Sequence, residues 1–214
     1  MGSREIDALI IRHLADIEAA GRRGFELDTE VFKVLGKTAE KWANKVNWQG
    51  NFDIEGDGFW LNPPDWKLSG KTEEDDESWL GYFDFDVGAD DDLEANDDKG
   101  THDFFKVTRL CHARNGTFGF RWISDHYAEG RKVPWRNFVR AEAENVVRET
   151  GFDVEKNGTF FLTVTLDAEH LANAIEQDAI EEALGPFDSA LDKLAEVEPA
   201  FTRLLEEAKR HFKV

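Results

Sequence analysis

Residues 73–98 read EEDDESWLGYFDFDVGADDDLEANDD: thirteen Asp and Glu, with no Lys or Arg, around a short aromatic run. The run Trp79–Val87 alternates, which predicts a strand with Trp79, Gly81, Phe83, Phe85 and Val87 on a core face and Leu80, Tyr82, Asp84 and Asp86 on the other. An acidic strand with one buried face needs neighbouring strands and a covering layer, so this stretch decides the fold class. The acidic flanks, Glu73, Glu74, Asp75, Asp76 and Glu77 on one side and Asp90, Asp91, Asp92 and Glu94 on the other, read as solvated segments around a fixed strand.

Outward from that strand, two Asn-Gly pairs mark hairpins. Asn115-Gly116 would join a run at Phe104–Arg114 to one at Thr117–Ser124, and Asn157-Gly158 would join Phe152–Glu155 to Thr159–Leu166. Phe59-Trp60-Leu61 reads as a further short strand ending at Pro63-Pro64. Helical periodicity dominates both ends. Ser3 precedes Ile6, Leu9, Ile10, Leu14 and Ile17 at helical spacing, with Gly21 and Gly24 expected to stop that helix. A second helical stretch, Asp28–Val46, is expected to break at Gly36. Pro134 opens another helix ended by Gly151, Asp167 caps one running to Leu184, and two more are expected near Phe187–Val197 and Pro199–Phe212. The expectation is an α+β fold: an antiparallel sheet of about five strands, built from two Asn-Gly hairpins plus the acidic strand, flanked by N- and C-terminal helices. Residues 1–166 form the α+β domain, with the helices of 167–214 packed on it or forming a small subdomain.

The 214 residues carry a net charge of −19, and outside the acidic stretch 32 acids face 26 basic residues, so the excess is local. A chain of this charge repels phosphate backbones, which excludes direct nucleic-acid binding as the expected function. The single cysteine, Cys111, excludes an internal disulfide. Charges thread through the apolar residues of the first twenty positions, and no apolar run approaches a membrane span, so a soluble cytoplasmic protein is expected.

The candidate chemical motifs fail on spacing. Gly36-Lys37-Thr38 and Gly70-Lys71-Thr72 have Val31 and Asp65 where a phosphate-binding loop needs its first glycine. Cys111 and His112 are adjacent and would point to opposite faces of a strand, and Ser124-Asp125-His126 is too local to converge as a triad. A calcium loop starting at Asp90 meets Ala95 at its sixth position and Thr101 at its twelfth. Asp84 and Asp86 with His102 and Asp103 form the one set suited to a magnesium- or calcium-type ion; two carboxylates on a solvated strand face more simply stay solvated, and no cofactor is expected.

His112, Arg114 and Arg121 would share one face of the first hairpin, as an anion site or as cross-strand partners for the protein's own carboxylates. The leading expectation is a non-enzymatic acidic factor that binds a protein with a basic surface. It would act as an inhibitor, immunity-type, antirestriction-like or adaptor protein, with Glu73–Glu77, Asp84, Asp86, Asp90–Asp92 and Glu94 as its contact residues and nucleic-acid mimicry as one mode. The alternatives are a metal-assisted hydrolase or nucleotide-processing enzyme built on Asp84 and Asp86, and acids that serve only solubility. The C-terminal helices offer a surface for homo-oligomers.

Overall fold

Two phenylalanines of the acidic strand organise the interior of the computed structural model, which describes residues 3–53, 58–67, 79–88, 105–113, 116–124, 132–155 and 158–212. Strand β3 (Tyr82–Val87) turns Phe83 and Phe85 inward with no exposure. Phe85 packs on Phe59, Phe118, Phe120 and Phe187, and Phe83 on Trp48, Trp66, Phe152 and Phe201. Rings at 4.7–6.0 Å in tilted, edge-on and, for Trp48 on Phe83, stacked arrangements make this an aromatic core.

The sheet is antiparallel, with six strands in the order β1-β2-β3-β4-β6-β5. The others are β1 (Gln49–Asp53), β2 (Gly58–Asn62), β4 (Phe118–Ile123), β5 (Asp153–Val154) and β6 (Phe160–Thr163). The α+β expectation holds with one strand more than counted. Beyond the acidic strand and the hairpin strands that form stand β2, read from Phe59–Leu61, and β1, which was not expected because its sequence QGNFD carries a single large apolar residue. The Asn157-Gly158 hairpin is present: β5 pairs with β6, the Glu155 and Thr159 backbones are hydrogen-bonded, and Gly158 takes a φ of +89° that an L side chain resists.

The Asn115-Gly116 hairpin is not. Both edges of β4 are already taken, by β3 and by β6, which leaves no edge for residues 104–114 to pair with. Lys106–Leu110 forms a short helix instead, α3. Its first turn is capped from elsewhere: the Asp28 carboxylate, buried in the long N-terminal helix, accepts the Lys106 and Val107 amides at 3.2 and 2.7 Å.

The N-terminal helix that carries Asp28 and the last helix are longer than the sequence suggested. α1 (Ser3–Arg12) and α2 (Leu14–Val46) meet at His13, and α2 runs through Gly21, Gly24 and Gly36 without stopping. Two of those glycines have packing reasons. A Cβ at Gly24 would sit 2.5 Å from the Phe105 ring, and one at Gly36 would sit 2.3 Å from the Phe52 carbonyl oxygen. α4 (Lys132–Thr150) ends at Gly151, with φ +73°, and α5 (Ala168–Glu176) begins at Asp167, whose carboxylate accepts the His170 amide at 2.7 Å. α5 stops at Glu176, short of Leu184, and a 3-10 turn at Ile180–Ala183 follows. The two expected C-terminal helices are one, α6 (Gly185–Phe212), continuous through Pro199. Its Phe187, Leu191, Leu194 and Phe201 enter the same apolar cluster as Phe83 and Phe85. All of α2 to α6 add buried residues to that cluster, so these five helices cover one face of the sheet. Among the described residues no helix is long and apolar enough to cross a membrane.

Candidate functional site

Because Phe83 and Phe85 are fixed in the core, strand alternation sends Asp84 and Asp86 out of the opposite face of the sheet. Pairing registers give that face a row across all six strands: Asn51, Trp60, Asp84, Arg121, Phe161, Asp153. Arg121 lies directly opposite Asp84, as in a cross-strand charge pair, and its guanidinium donates to the Val87 carbonyl. Asp86 lies opposite Gly119. Glycine is required there, since a Cβ would come within 2.1 Å of the Leu162 carbonyl oxygen.

Beside the charged pair lies an aromatic group that sequence reading did not assemble. Trp60 packs against Trp79 at 6.0 Å and Tyr82 at 6.2 Å, and the Lys67 ammonium lies 5.7 Å from the Trp79 ring. Trp79 was expected in the core with Phe83. It lies outside that cluster, and Leu80 touches the core instead, because the strand starts only at Tyr82 and a bend at Leu80 breaks the alternation. Asn62, on the same side of β2 as Trp60, is completely buried, and neither its amide nitrogen nor its oxygen has a hydrogen-bond partner among the described residues. An unmatched buried amide typically costs about 1–3 kcal/mol. Alternation along β2 was the signal that could have grouped Trp60 with Asp84; nothing in the sequence marks Asn62, which reads as a turn residue before two prolines.

The remaining candidates divide clearly. His112 is exposed at the end of α3 with φ +52°, so the hairpin face that grouped it with Arg121 does not exist. Arg114, His102, Asp103, Glu73–Glu77, Asp90–Asp92 and Glu94 lie outside the described residues. Among the described residues no three His, Cys, Asp or Glu side chains gather as a metal-binding group. Cys111 is half-buried against the core, and burial, reinforced by the nearby Asp167 charge, pushes its thiol up from the usual range, which suppresses the nucleophilic thiolate. Ser124 is buried, and its hydroxyl donates to the Leu80 carbonyl at 2.6 Å, a structural role joining the end of β4 to the approach to β3.

Comparison with protein-family models, with characterised proteins and with solved structures finds no match, so the functional argument rests on these side chains alone.

Proposed function

We propose that this protein is a non-enzymatic binding factor whose acidic stretch docks on a protein with a basic surface. The observation that supports this reading is the division of labour on β3. Phe83 and Phe85 lock the strand into an aromatic core, and the same backbone presents Asp84 and Asp86 on the face away from the helix layer. Rigid carboxylates pay little ordering entropy on binding, so they confer specificity. The flanking acids, covalently tied to both ends of this element, would raise the association rate through long-range attraction. Trp60 and Tyr82, half-buried next to Asp84, supply the amphipathic ring edges that anchor interfaces. A partner groove that ordinarily holds a nucleic acid would be blocked by this charge array, which makes inhibition by mimicry the favoured mode of action.

The test is affinity capture from source lysate at two salt concentrations, with the natural chain beside two variants. One variant has Asp84 and Asp86 changed to Asn, and the other has the acids of 73–77 and 90–92 changed to Asn, Gln or Ser. A specific partner that is lost at high salt, lost with the strand variant and captured more slowly with the flank variant supports the proposal. Capture that ignores both variants overturns it. A saturable thermal shift with magnesium that Asp84→Asn abolishes would replace it with metal-assisted chemistry on the same face.

A further inference from the structure

The apolar stripe of the N-terminal helices runs on past the edge of the core. In the second half of α2 it is completely buried, at Val31, Leu35 and Ala39. Over α1 and the start of α2 the stripe is open: Ile6, Leu9, Ile10, Leu14 and Ile17 are each 40–54% exposed. Further along, the Phe105 ring packs against Gly24 and Phe25, and Phe25 is still 57% exposed. Backbone hydrogen bonds from His13 to Leu9 and from Ile17 to His13 carry the helical track through the junction, so residues 3–27 make one arm about 37 Å long at 1.5 Å per residue. A contiguous exposed apolar face of this kind marks an interaction surface.

Charge identifies the occupant. The arm holds four arginines against five acids, in a chain of net charge −19, so it is a near-neutral surface through which two copies can approach despite their acidic bodies. On one flank of the stripe Glu5, Arg12, Asp16 and Arg23 fall at intervals of seven, four and seven residues, which places them in a single line along the helix. Their signs read minus, plus, minus, plus. Two arms side by side in the same direction would turn this line toward the opposite flank of the partner, so its four charges would not meet one another. Two arms running in opposite directions about Leu14 set Glu5 opposite Arg23 and Arg12 opposite Asp16, with both pairs repeated by symmetry. Arg23 now bonds Glu26 and Glu30 at the surface, and exposed pairs of this sort contribute so little that exchanging them costs little. Gly21 fits the same picture. It lies mid-helix, where glycine is costly, and a Cβ there would touch nothing within 4 Å of its own chain. In the antiparallel pair it falls opposite the Asp7 region of the other arm, where a small residue lets the helices close.

We infer that the arm is a homodimerisation element in which residues 3–27 of two copies pair antiparallel about Leu14. Independently of what the acidic face binds, such a dimer carries two acidic faces on one particle.

Sedimentation velocity and light scattering on the full chain test this directly. The expected result is twice the chain mass at micromolar concentration. Ile10→Glu with Ile17→Glu should raise the dissociation constant by more than about a hundredfold while the far-UV circular dichroism of the folded chain is retained, since both positions are exposed in the single chain. Direction is read by oxidative cross-linking in a Cys111→Ser background. Glu5→Cys and Arg23→Cys chains should cross-link when mixed and not when alone. A monomer at those concentrations, a dimer indifferent to the double Glu variant, or cross-links formed by Glu5→Cys alone would each overturn the inference.

Discussion

The two faces of the sheet are built from the same strands but on different terms. On the helix side, Phe59, Phe85 and Phe120 are essentially unexposed and touch one another, and Phe83 is equally unexposed against Trp66, Phe152 and Phe201. On the other side, Trp60, Tyr82, Asp84 and Arg121 are half-buried, Trp79 and Phe161 are buried outside the main cluster, and Asn62 is buried without a partner among the described residues. The first face satisfies itself. The second contains charge and an unmatched amide, which a protein selected for stability alone would replace. The difference teaches that stability and recognition are separated by one peptide plane along β3.

Substitutions on the two faces should therefore differ in size and in kind. The largest effect is expected from Phe85→Ala, which empties a site ringed by four other phenylalanines; a loss of about 3–5 kcal/mol in denaturant unfolding is expected. A loss under about 1 kcal/mol would mean that the helix face is not the core. Next comes Asp28→Ala, which leaves two amides of α3 uncapped in a buried setting and should cost about 1–3 kcal/mol. Asn62→Leu should move the other way, raising stability by about 1 kcal/mol, because it removes an unsatisfied amide at similar volume. A fall instead would show that the amide has a partner in solution. The smallest stability effect belongs to Asp84→Asn with Asp86→Asn, at most about 1 kcal/mol by thermal unfolding because Asp84 faces Arg121 across the strands, in contrast with its expected loss of partner capture.

The sequence made some of this legible because the relevant physics is local. Period-two alternation showed which way Phe83 and Asp84 point, Asn157-Gly158 marked a hairpin, and Asp167 and Gly151 marked helix ends. Where the deciding contact comes from far along the chain, local reading fails. Gly24 and Gly36 look like helix stops until the Phe105 ring and the Phe52 carbonyl are seen against them. Lys106–Leu110 looks like a strand until Asp28 is seen to cap it. Trp79 looks like core because the bend at Leu80 leaves no mark in the pattern. The face of Asp84 was readable, but its neighbourhood was not: joining Trp60, Asp84 and Arg121 in one row requires knowing that β2, β3 and β4 are adjacent.

The Asp28 cap also has a bearing on the order of events during folding. Its two hydrogen bonds close a loop of 78 and 79 residues, so neither can form until the chain has already brought α2 back to this point. Five residues are too few to hold a helix in water unaided. A synthetic peptide covering 104–114 should therefore show no helical circular dichroism, and amide exchange at Lys106 and Val107 should slow only after the amides of Val31–Ala43 are protected. In this molecule a short helix acts as a latch, set last and reporting that the rest has closed.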